Sequence, residues 1–149
     1  MMEFSIYSHE SFMKLALVEA RLAFEADEVP VGAVVVSKNR VLAKARNSVQ
    51  QLNDPTAHAE LLAISAATEF LGSKYLNECT LYVTLEPCPM CAGALFWSQI
   101  GKVVYATNDE KRGCSLYSPS LYHPKTEVIA GIMAEDSALL LKSFFLKKR

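Results

Sequence analysis

Two short stretches of the sequence carry side chains that bind metal ions and move protons. Residues 58–60 read His-Ala-Glu, and residues 87–91 read Pro-Cys-Pro-Met-Cys. Two thiols three positions apart lie on one face of a helix, one turn above the other. Two thiolates and one imidazole form a ligand set that suits zinc. We therefore interpret His58, Cys88 and Cys91 as ligands of one zinc ion.

Three protein ligands leave one position of a four-coordinate zinc open. An open position that water can take distinguishes a catalytic zinc from a structural one. Glu60 then has a chemical role, because a carboxylate next to such a water can accept its proton and pass it on. The pattern H-x-E…P-C-x-x-C is also the signature of the zinc nucleobase deaminases. These residues therefore predict a zinc hydrolase that deaminates a base.

The Cys-x-x-Cys pair taken alone has other interpretations. Such a pair also occurs in redox sites, in structural zinc sites and in protein cores. A redox role leaves the His-x-Glu pattern without a function. A structural zinc needs a fourth ligand, which would have to come from Cys79, Cys114, His9 or His123, and none of these has a paired zinc spacing. We therefore favour a catalytic zinc and keep a structural-zinc module as the alternative class.

The composition is that of a globular protein. The chain has 149 residues, enough for a sizeable core, and we expect a single domain over residues 1–149. Hydrophobic residues make up 51% and charged residues 21%, which argues against a disordered chain. Fifteen basic and sixteen acidic side chains give a net charge of −1. Any binding of nucleic acid must therefore come from a local patch.

Sequence features also indicate the cellular compartment. No apolar run approaches the ~18 residues of a membrane span, so we expect no contact with a membrane. The first residues, Met-Met-Glu-Phe-Ser, lack the basic and then apolar pattern of a secretory signal. Without export, the four cysteines indicate reduced thiols and metal binding rather than disulfides. We therefore expect a cytoplasmic protein.

Strands alternate with helices along the chain, which predicts an α/β protein. Hydrophobic patterns predict helices over residues 8–26, 54–72, 88–101 and 134–146, and strands over 31–37, 40–46, 80–85, 102–106 and 126–130. We expect Asp54 with the following proline to open the second helix, and Gly101 to end the third. The alternation predicts a three-layer α/β/α fold around a mixed five-stranded sheet.

Longer stretches resemble a known family. Residues 28–34, 54–60, 80–88 and 90–94 are similar to the bacterial tRNA-specific adenosine deaminases, and the similarity runs from about Phe12 to the C-terminus. The resemblance implies the cytidine-deaminase-like fold, one zinc ion per chain and a homodimer. It further implies hydrolytic conversion of the wobble adenosine of an arginine tRNA anticodon to inosine.

The resemblance also assigns roles to individual residues. It matches His58, Cys88 and Cys91 with the zinc ligands and Glu60 with the proton shuttle. It implies contacts with the tRNA anticodon stem-loop at Asn47, Ala59, Asp109, Phe144, Phe145, Lys148 and Arg149. From the residues alone, a loop asparagine usually belongs to a turn, and neighbouring phenylalanines suit a core equally well.

Two other functions stay open at this stage. The first keeps the chemistry but acts on a free base or nucleoside, guanine or cytosine. Pro89, between the two cysteines, also occurs in free-guanine deaminases of the same superfamily, so it discriminates poorly between a tRNA and a free-base substrate. The second is a nucleic-acid-binding module with a structural zinc. The basic and aromatic C-terminus favours RNA over a free base.

Overall fold

The computed structural model describes residues 7–148, which form four α-helices and five strands. The helices are α1 (His9–Glu25), α2 (Ala59–Leu71), α3 (Pro89–Ser98) and α4 (Ala134–Lys147). The strands are β1 (Gly32–Ser37), β2 (Arg40–Arg46), β3 (Thr80–Leu85), β4 (Lys102–Thr107) and β5 (Glu127–Ala130). A short 3₁₀ turn, Cys114–Leu116, lies between β4 and β5. Within this part of the chain, no helix has the length and apolar character needed to cross a bilayer.

The five strands form one mixed sheet in the order β2-β1-β3-β4-β5. Strand β1 is antiparallel to both β2 and β3, whereas β3, β4 and β5 are parallel. Lys38 and Asn39 connect β1 to β2 with φ angles of 51° and 61°, as in the tight turns that match the twist of a hairpin. Parallel neighbours need a long crossover, and α3 supplies the one between β3 and β4. The predicted mixed sheet is confirmed.

Helices cover both faces of the sheet. Helices α2 and α3 pack on one face with Val35 of β1, while α1 packs on the other face with Val34 and Val36. Successive strand residues point to opposite faces, so a strand buried on both sides is apolar at every position. Helix α4 contacts α1, β3 and β4. The predicted three-layer α/β/α fold is therefore confirmed.

The second helix begins later than predicted. Oδ1 of Asp54 accepts hydrogen bonds from the backbone N–H and the hydroxyl of Thr56, at 2.8 and 2.7 Å, within a turn. The helix starts at Ala59, and His58 before it has extended backbone angles, φ −77° and ψ 150°. The side-chain oxygen of Asp54 is engaged within this turn and does not cap the helix. His58 is consequently the residue that stands at the start of α2.

The third helix ends before Gly101, not at it. Gln99 follows the helix with a left-handed φ of 54°, and its N–H donates to the carbonyl of Phe96 at 3.1 Å. A left-handed residue is a common way to end a helix. Gly101 is required for a different reason, because a Cβ atom there would lie 2.4 Å from the carbonyl oxygen of Asn77.

Candidate metal centre and active site

The predicted zinc ligands all lie at the starts of two helices. His58 immediately precedes α2, and Cys88 immediately precedes α3, whose first residue is Pro89. Proline suits that position because the first N–H groups of a helix have no partner within it. Cys91 lies at the third position of α3 and is fully buried. Strand β3 leads into α3, so the sheet positions both thiols at the start of α2.

The donor atoms have the spacing that a zinc ion requires. The Sγ atoms of Cys88 and Cys91 lie 3.7 and 3.5 Å from Nδ1 of His58. All three atoms lie within 4.8 Å of one another. Tetrahedral zinc with its usual bond lengths separates a nitrogen ligand from a sulfur ligand by about 3.6 Å. The side chains therefore fit zinc in both chemistry and geometry.

Three of the four residues considered as a fourth ligand, Cys79, His9 and His123, make other contacts. In residues 7–148, the metal-ligating group consists of one histidine and two cysteines. Cys79 is buried in the core between the sheet and α2. His9 bonds through Nδ1 to the hydroxyl of Tyr82 at 2.8 Å, and His123 lies against the ring of Phe96. The described residues thus offer three ligands that could hold a metal ion, and a closed structural zinc site would need a fourth.

Hydrogen bonds give the two thiols different acidities. The pKa of Cys88 is lowered to about 4, mainly by a hydrogen bond with the thiol of Cys91 and to a smaller extent by a hydrogen bond with His58. The same bond to Cys88 raises the pKa of Cys91, and burial adds to the rise. The hydrogen bond to Cys88 also raises the pKa of His58. Cys88 is thus a thiolate at neutral pH, which is the form that binds metals.

Glu60 lies beside the three ligands on the first turn of α2. Its side chain is only 4% exposed, and burial raises the pKa of its carboxyl group to about 7. The carboxyl group interacts with the thiol of Cys91. His58 precedes the helix with extended backbone angles, so the direction of its side chain is not set by the helical repeat that orients Glu60. The site therefore combines a group that could hold a metal ion with a buried carboxyl group of raised pKa.

Comparisons with known proteins identify the family. The model of the MafB19-like deaminase family matches residues 7–149. The tRNA-specific adenosine deaminase of Aquifex aeolicus is 48% identical over 147 residues, covering 94% of this chain and 95% of that protein. This chain belongs to the tRNA-specific adenosine deaminases. The family expected from the sequence is therefore confirmed.

Solved structures of deaminases share the fold. A tRNA:A34 deaminase, studied for A-to-I editing at the wobble position of transfer RNA, is 44% identical with a TM-score of 0.81, covering 87% of this chain and 97% of that chain. The guanine deaminase of Nitrosomonas europaea is 25% identical with a TM-score of 0.79, covering 92% of this chain and 84% of that one. Proteins with different substrates thus share one architecture, and substrate choice has to be argued from individual residues.

Asn47 of this deaminase lies against the start of α2. Its Oδ1 accepts a hydrogen bond from the backbone N–H of Ala59 at 2.8 Å. The side chain of His58 does not cap the helix, so Asn47 satisfies a helix N–H that would otherwise lack a partner. The N–H of Ala59 is engaged in this bond, and the substrate contact expected for Ala59 stays a prediction. The amide nitrogen of Asn47 is left as the group that can donate to a base.

Asp109 lies in the loop that follows β4. Its Oδ1 accepts hydrogen bonds from the backbone N–H groups of Lys111 and Arg112, at 3.1 and 3.0 Å. One carboxylate oxygen of Asp109 therefore shapes its own loop. A contact between Asp109 and RNA stays a prediction.

The two phenylalanines of α4 have different environments, which corrects one prediction. Phe144 is 4% exposed and packs edge-on against Phe24 of α1, with ring centroids 5.8 Å apart. Phe145 is 52% exposed. A buried ring cannot stack on a base, so the predicted RNA contact of Phe144 is wrong for this packing. Phe145 is the ring that can take that role.

The basic C-terminus folds back on α1. The ammonium group of Lys148 pairs with the carboxylate of Asp27 and lies 5.6 Å from the centre of the Phe144 ring. The pairing lowers the pKa of Asp27, first through its hydrogen bond with Lys148. Lys148 is 46% exposed and can still face a phosphate. Arg149, also predicted to contact RNA, lies outside the described residues.

Two buried carboxylates have roles that the sequence patterns did not indicate. Glu28 is 2% exposed and Glu86 is 3% exposed. Glu28 accepts hydrogen bonds from the backbone N–H groups of Gln50 and Gln51, at distances from 2.9 to 3.1 Å. These bonds hold the loop that leads to His58. The sequence feature that could have indicated these roles is an acidic residue within two positions of a proline, beside an apolar strand.

Proposed function

We propose that this protein converts the wobble adenosine of an arginine tRNA anticodon to inosine. The observation that carries the proposal is the position of Glu60 beside the group formed by His58, Cys88 and Cys91. This combination of ligands and acid–base group is what hydrolytic deamination of a base requires. The family to which the chain belongs supports tRNA as the substrate.

We propose one zinc ion per chain, held by His58, Cys88 and Cys91. Zinc is a Lewis acid that makes water a good nucleophile at neutral pH. The low pKa of Cys88 supports binding as thiolate. The three side chains lie at or directly before the starts of α2 and α3, which fix their positions.

Glu60 moves the protons of the reaction. Its carboxylate accepts a proton from the attacking water and delivers it to the ring nitrogen next to the reacting carbon of adenine. Glu60 then transfers the second proton of that water to the departing amino group, which leaves as ammonia. Water and adenosine therefore give inosine and ammonia, and Glu60 returns to its starting state. Such general acid–base catalysis is typically worth ~10²–10⁴ in rate.

Binding of the base and the RNA involves other residues. A base paired in a helix hides its reacting carbon, so the substrate has to be an unpaired adenosine turned out of a loop. The amide nitrogen of Asn47 can donate to this base from beside the metal centre. Phe145 offers an exposed ring for stacking, and Lys148 offers a cation for the phosphate backbone. We also propose a cytoplasmic location, which a tRNA substrate supports.

We also propose that the protein is a homodimer. The end of α3 exposes Trp97, which is 77% exposed, beside Phe96 and Tyr75 around one surface depression. Large aromatic side chains that are exposed together are typical of protein interfaces. The mass in solution, measured by light scattering, should be twice that of one chain. Trp97→Glu should shift the protein towards the monomer, and a wild-type monomer would contradict the proposal.

The substrate is tested by measuring deamination on several compounds side by side. We expect inosine to form on an arginine anticodon stem-loop and no comparable reaction with free adenosine, guanine or cytosine. The second candidate function is deamination of a free base, which the structural likeness to a guanine deaminase favours. Reaction with free guanine and none with the stem-loop would establish that function instead. A stem-loop with the wobble adenosine replaced by guanosine is the matched control.

A further inference from the structure

Glu86 links the metal-ligand turn to the loop that follows β4. It lies two residues before Cys88, and its carboxylate is buried. Oε1 accepts a hydrogen bond from the backbone N–H of Asp109 at 3.0 Å, and Oε2 accepts one from Ser115 at 2.9 Å. The two oxygens therefore hold both ends of the segment 109–115, which we call the basic loop.

Two further contacts close the basic loop against the same turn. The N–H of Cys114 donates to the carbonyl of Pro87 at 2.9 Å. Gly113 lies so close that a Cβ atom there would be 2.2 Å from Oε1 of Glu86. Glycine is thus required by the approach of the loop to the carboxylate. The loop and the turn that carries Cys88 form one connected unit.

The basic loop, named for Lys111 and Arg112, carries these two cations directly after Asp109 and Glu110, so its formal charge is zero. Lys111 and Arg112 are exposed, and neither forms an ion pair within residues 7–148. The chain as a whole has a net charge of −1, so a local pair of cations is needed to attract phosphate. The carboxylate of Asp109 accepts hydrogen bonds from the backbone N–H groups of Lys111 and Arg112, not from their charged ends. Their charged ends are left to solvent.

We infer that Glu86 is a positioning residue for RNA binding, holding the basic loop so that Lys111 and Arg112 face the phosphates of the substrate. This inference rests on the proposed RNA substrate. A buried carboxylate is costly unless it is hydrogen-bonded, and Glu86 recovers that cost only when the loop is closed. The closed loop is therefore the state in which both carboxylate oxygens have partners. Loss of one acceptor weakens binding of RNA without removing a group that takes part in the chemistry.

The test compares two matched substitutions, Glu86→Gln and Glu28→Gln. Both residues are buried carboxylates that accept hydrogen bonds from two backbone N–H groups, but they hold different loops. Glutamine has the same shape, yet its NH₂ group cannot accept a hydrogen bond. Glu86→Gln removes the acceptor of one loop N–H, whereas Glu28→Gln can keep both bonds because Oε2 of Glu28 already accepts from Gln50 and Gln51. Glu28→Gln is therefore the control for replacing a buried carboxylate by an amide without losing a loop hydrogen bond.

The first measurement is limited proteolysis by trypsin, which cleaves after Lys111 and Arg112 in an open loop. We expect Glu86→Gln to be cut there about tenfold faster than the wild type, because cleavage follows the population of the open state. Glu28→Gln should be cut at these positions at the wild-type rate. Equal rates in the two variants would overturn the inference.

The second measurement is the kinetics of inosine formation on the anticodon stem-loop. We expect Glu86→Gln to raise KM about tenfold with kcat within about twofold, and with unchanged zinc content. A fall in kcat at unchanged KM, or loss of zinc, would mean that Glu86 acts by positioning Cys88 rather than the basic loop. Either result would overturn the inference. A faster trypsin cut with unchanged KM would also overturn it. A wild-type protein inactive on RNA would refute the proposed function, while the proteolysis would still report on the loop.

A second variant covers the case in which Glu86→Gln does not fold. Gly113→Ala keeps the carboxylate and pushes the loop away from it, because the added methyl group would meet Oε1 of Glu86. We expect the same two effects, faster cleavage after Lys111 and Arg112 and a raised KM. A Gly113→Ala protein with wild-type values for both would overturn the inference.

Discussion

The side-chain oxygen of Asn47 accepts a hydrogen bond from the backbone N–H of Ala59, 12 residues further along the chain, at 2.8 Å. This bond caps α2 from outside the helix. His58 occupies the usual capping position, but its imidazole faces the two thiols and cannot turn back to the helix. The loop that carries Asn47 therefore fixes the start of the helix that carries Glu60 and directly follows His58.

Two substitutions of Asn47 separate its capping role from a contact with the substrate. Asn47→Ala removes the acceptor and should lower the free energy of unfolding by ~1 kcal/mol. Asn47→Asp keeps an acceptor and should unfold close to the wild type, since aspartate caps helices as well as asparagine does. Both should lose deamination because neither can donate to the base. Chemical denaturation and inosine formation measure the two effects, and a fully active Asn47→Asp would leave only the capping role.

Zinc content distinguishes ligands from other buried cysteines. The wild-type protein should contain one zinc per chain, with one nitrogen and two sulfur ligands from the protein by X-ray absorption. Cys91→Ala should lose the metal because one of three ligands is gone. Cys79→Ala is the matched control, since Cys79 is also buried but lies in the core. A spectrum with four sulfur ligands would refute the catalytic assignment.

Glu60→Gln separates catalysis from binding. A neutral amide cannot accept a proton from water, so deamination should fall by ~10²–10⁴. Zinc content and affinity for the stem-loop should stay at wild-type values, because the amide has nearly the same shape. Single-turnover kinetics with saturating enzyme measure the step directly. Residual activity within a few-fold of the wild type would exclude Glu60 as the proton shuttle.

The neighbouring phenylalanines of α4 provide a matched pair. Phe144→Ala should destabilise the protein by ~3–5 kcal/mol, because the ring is buried against Phe24. Phe145→Ala should leave stability nearly unchanged and weaken RNA binding by ~1–3 kcal/mol if the ring stacks on a base. Thermal unfolding and binding titrations measure the two quantities. Unchanged RNA affinity in Phe145→Ala would remove α4 from the RNA-binding surface.

Much of the candidate site could be predicted from the sequence because the patterns that indicate it each lie within a few residues. Two thiols at helical spacing, a proline at a helix start and a carboxylate two residues from a histidine are each readable within a few positions. The strands β1 and β3 were predictable for the same reason, since strands buried on both faces form continuous apolar runs. The ligand group and the three-layer fold follow from such short patterns.

Tertiary structure decided the features that depend on distant partners. Helix α2 starts at Ala59 and not at the predicted Asp54, because its cap comes from Asn47 on another segment. Helix periodicity does not distinguish Phe144 from its neighbour, and only the position of α1 determines which ring is buried. The role of Glu86 likewise depends on a loop that returns from beyond β4. Local propensity extends over a few residues, whereas burial and long-range hydrogen bonds are fixed only when the chain folds back on itself.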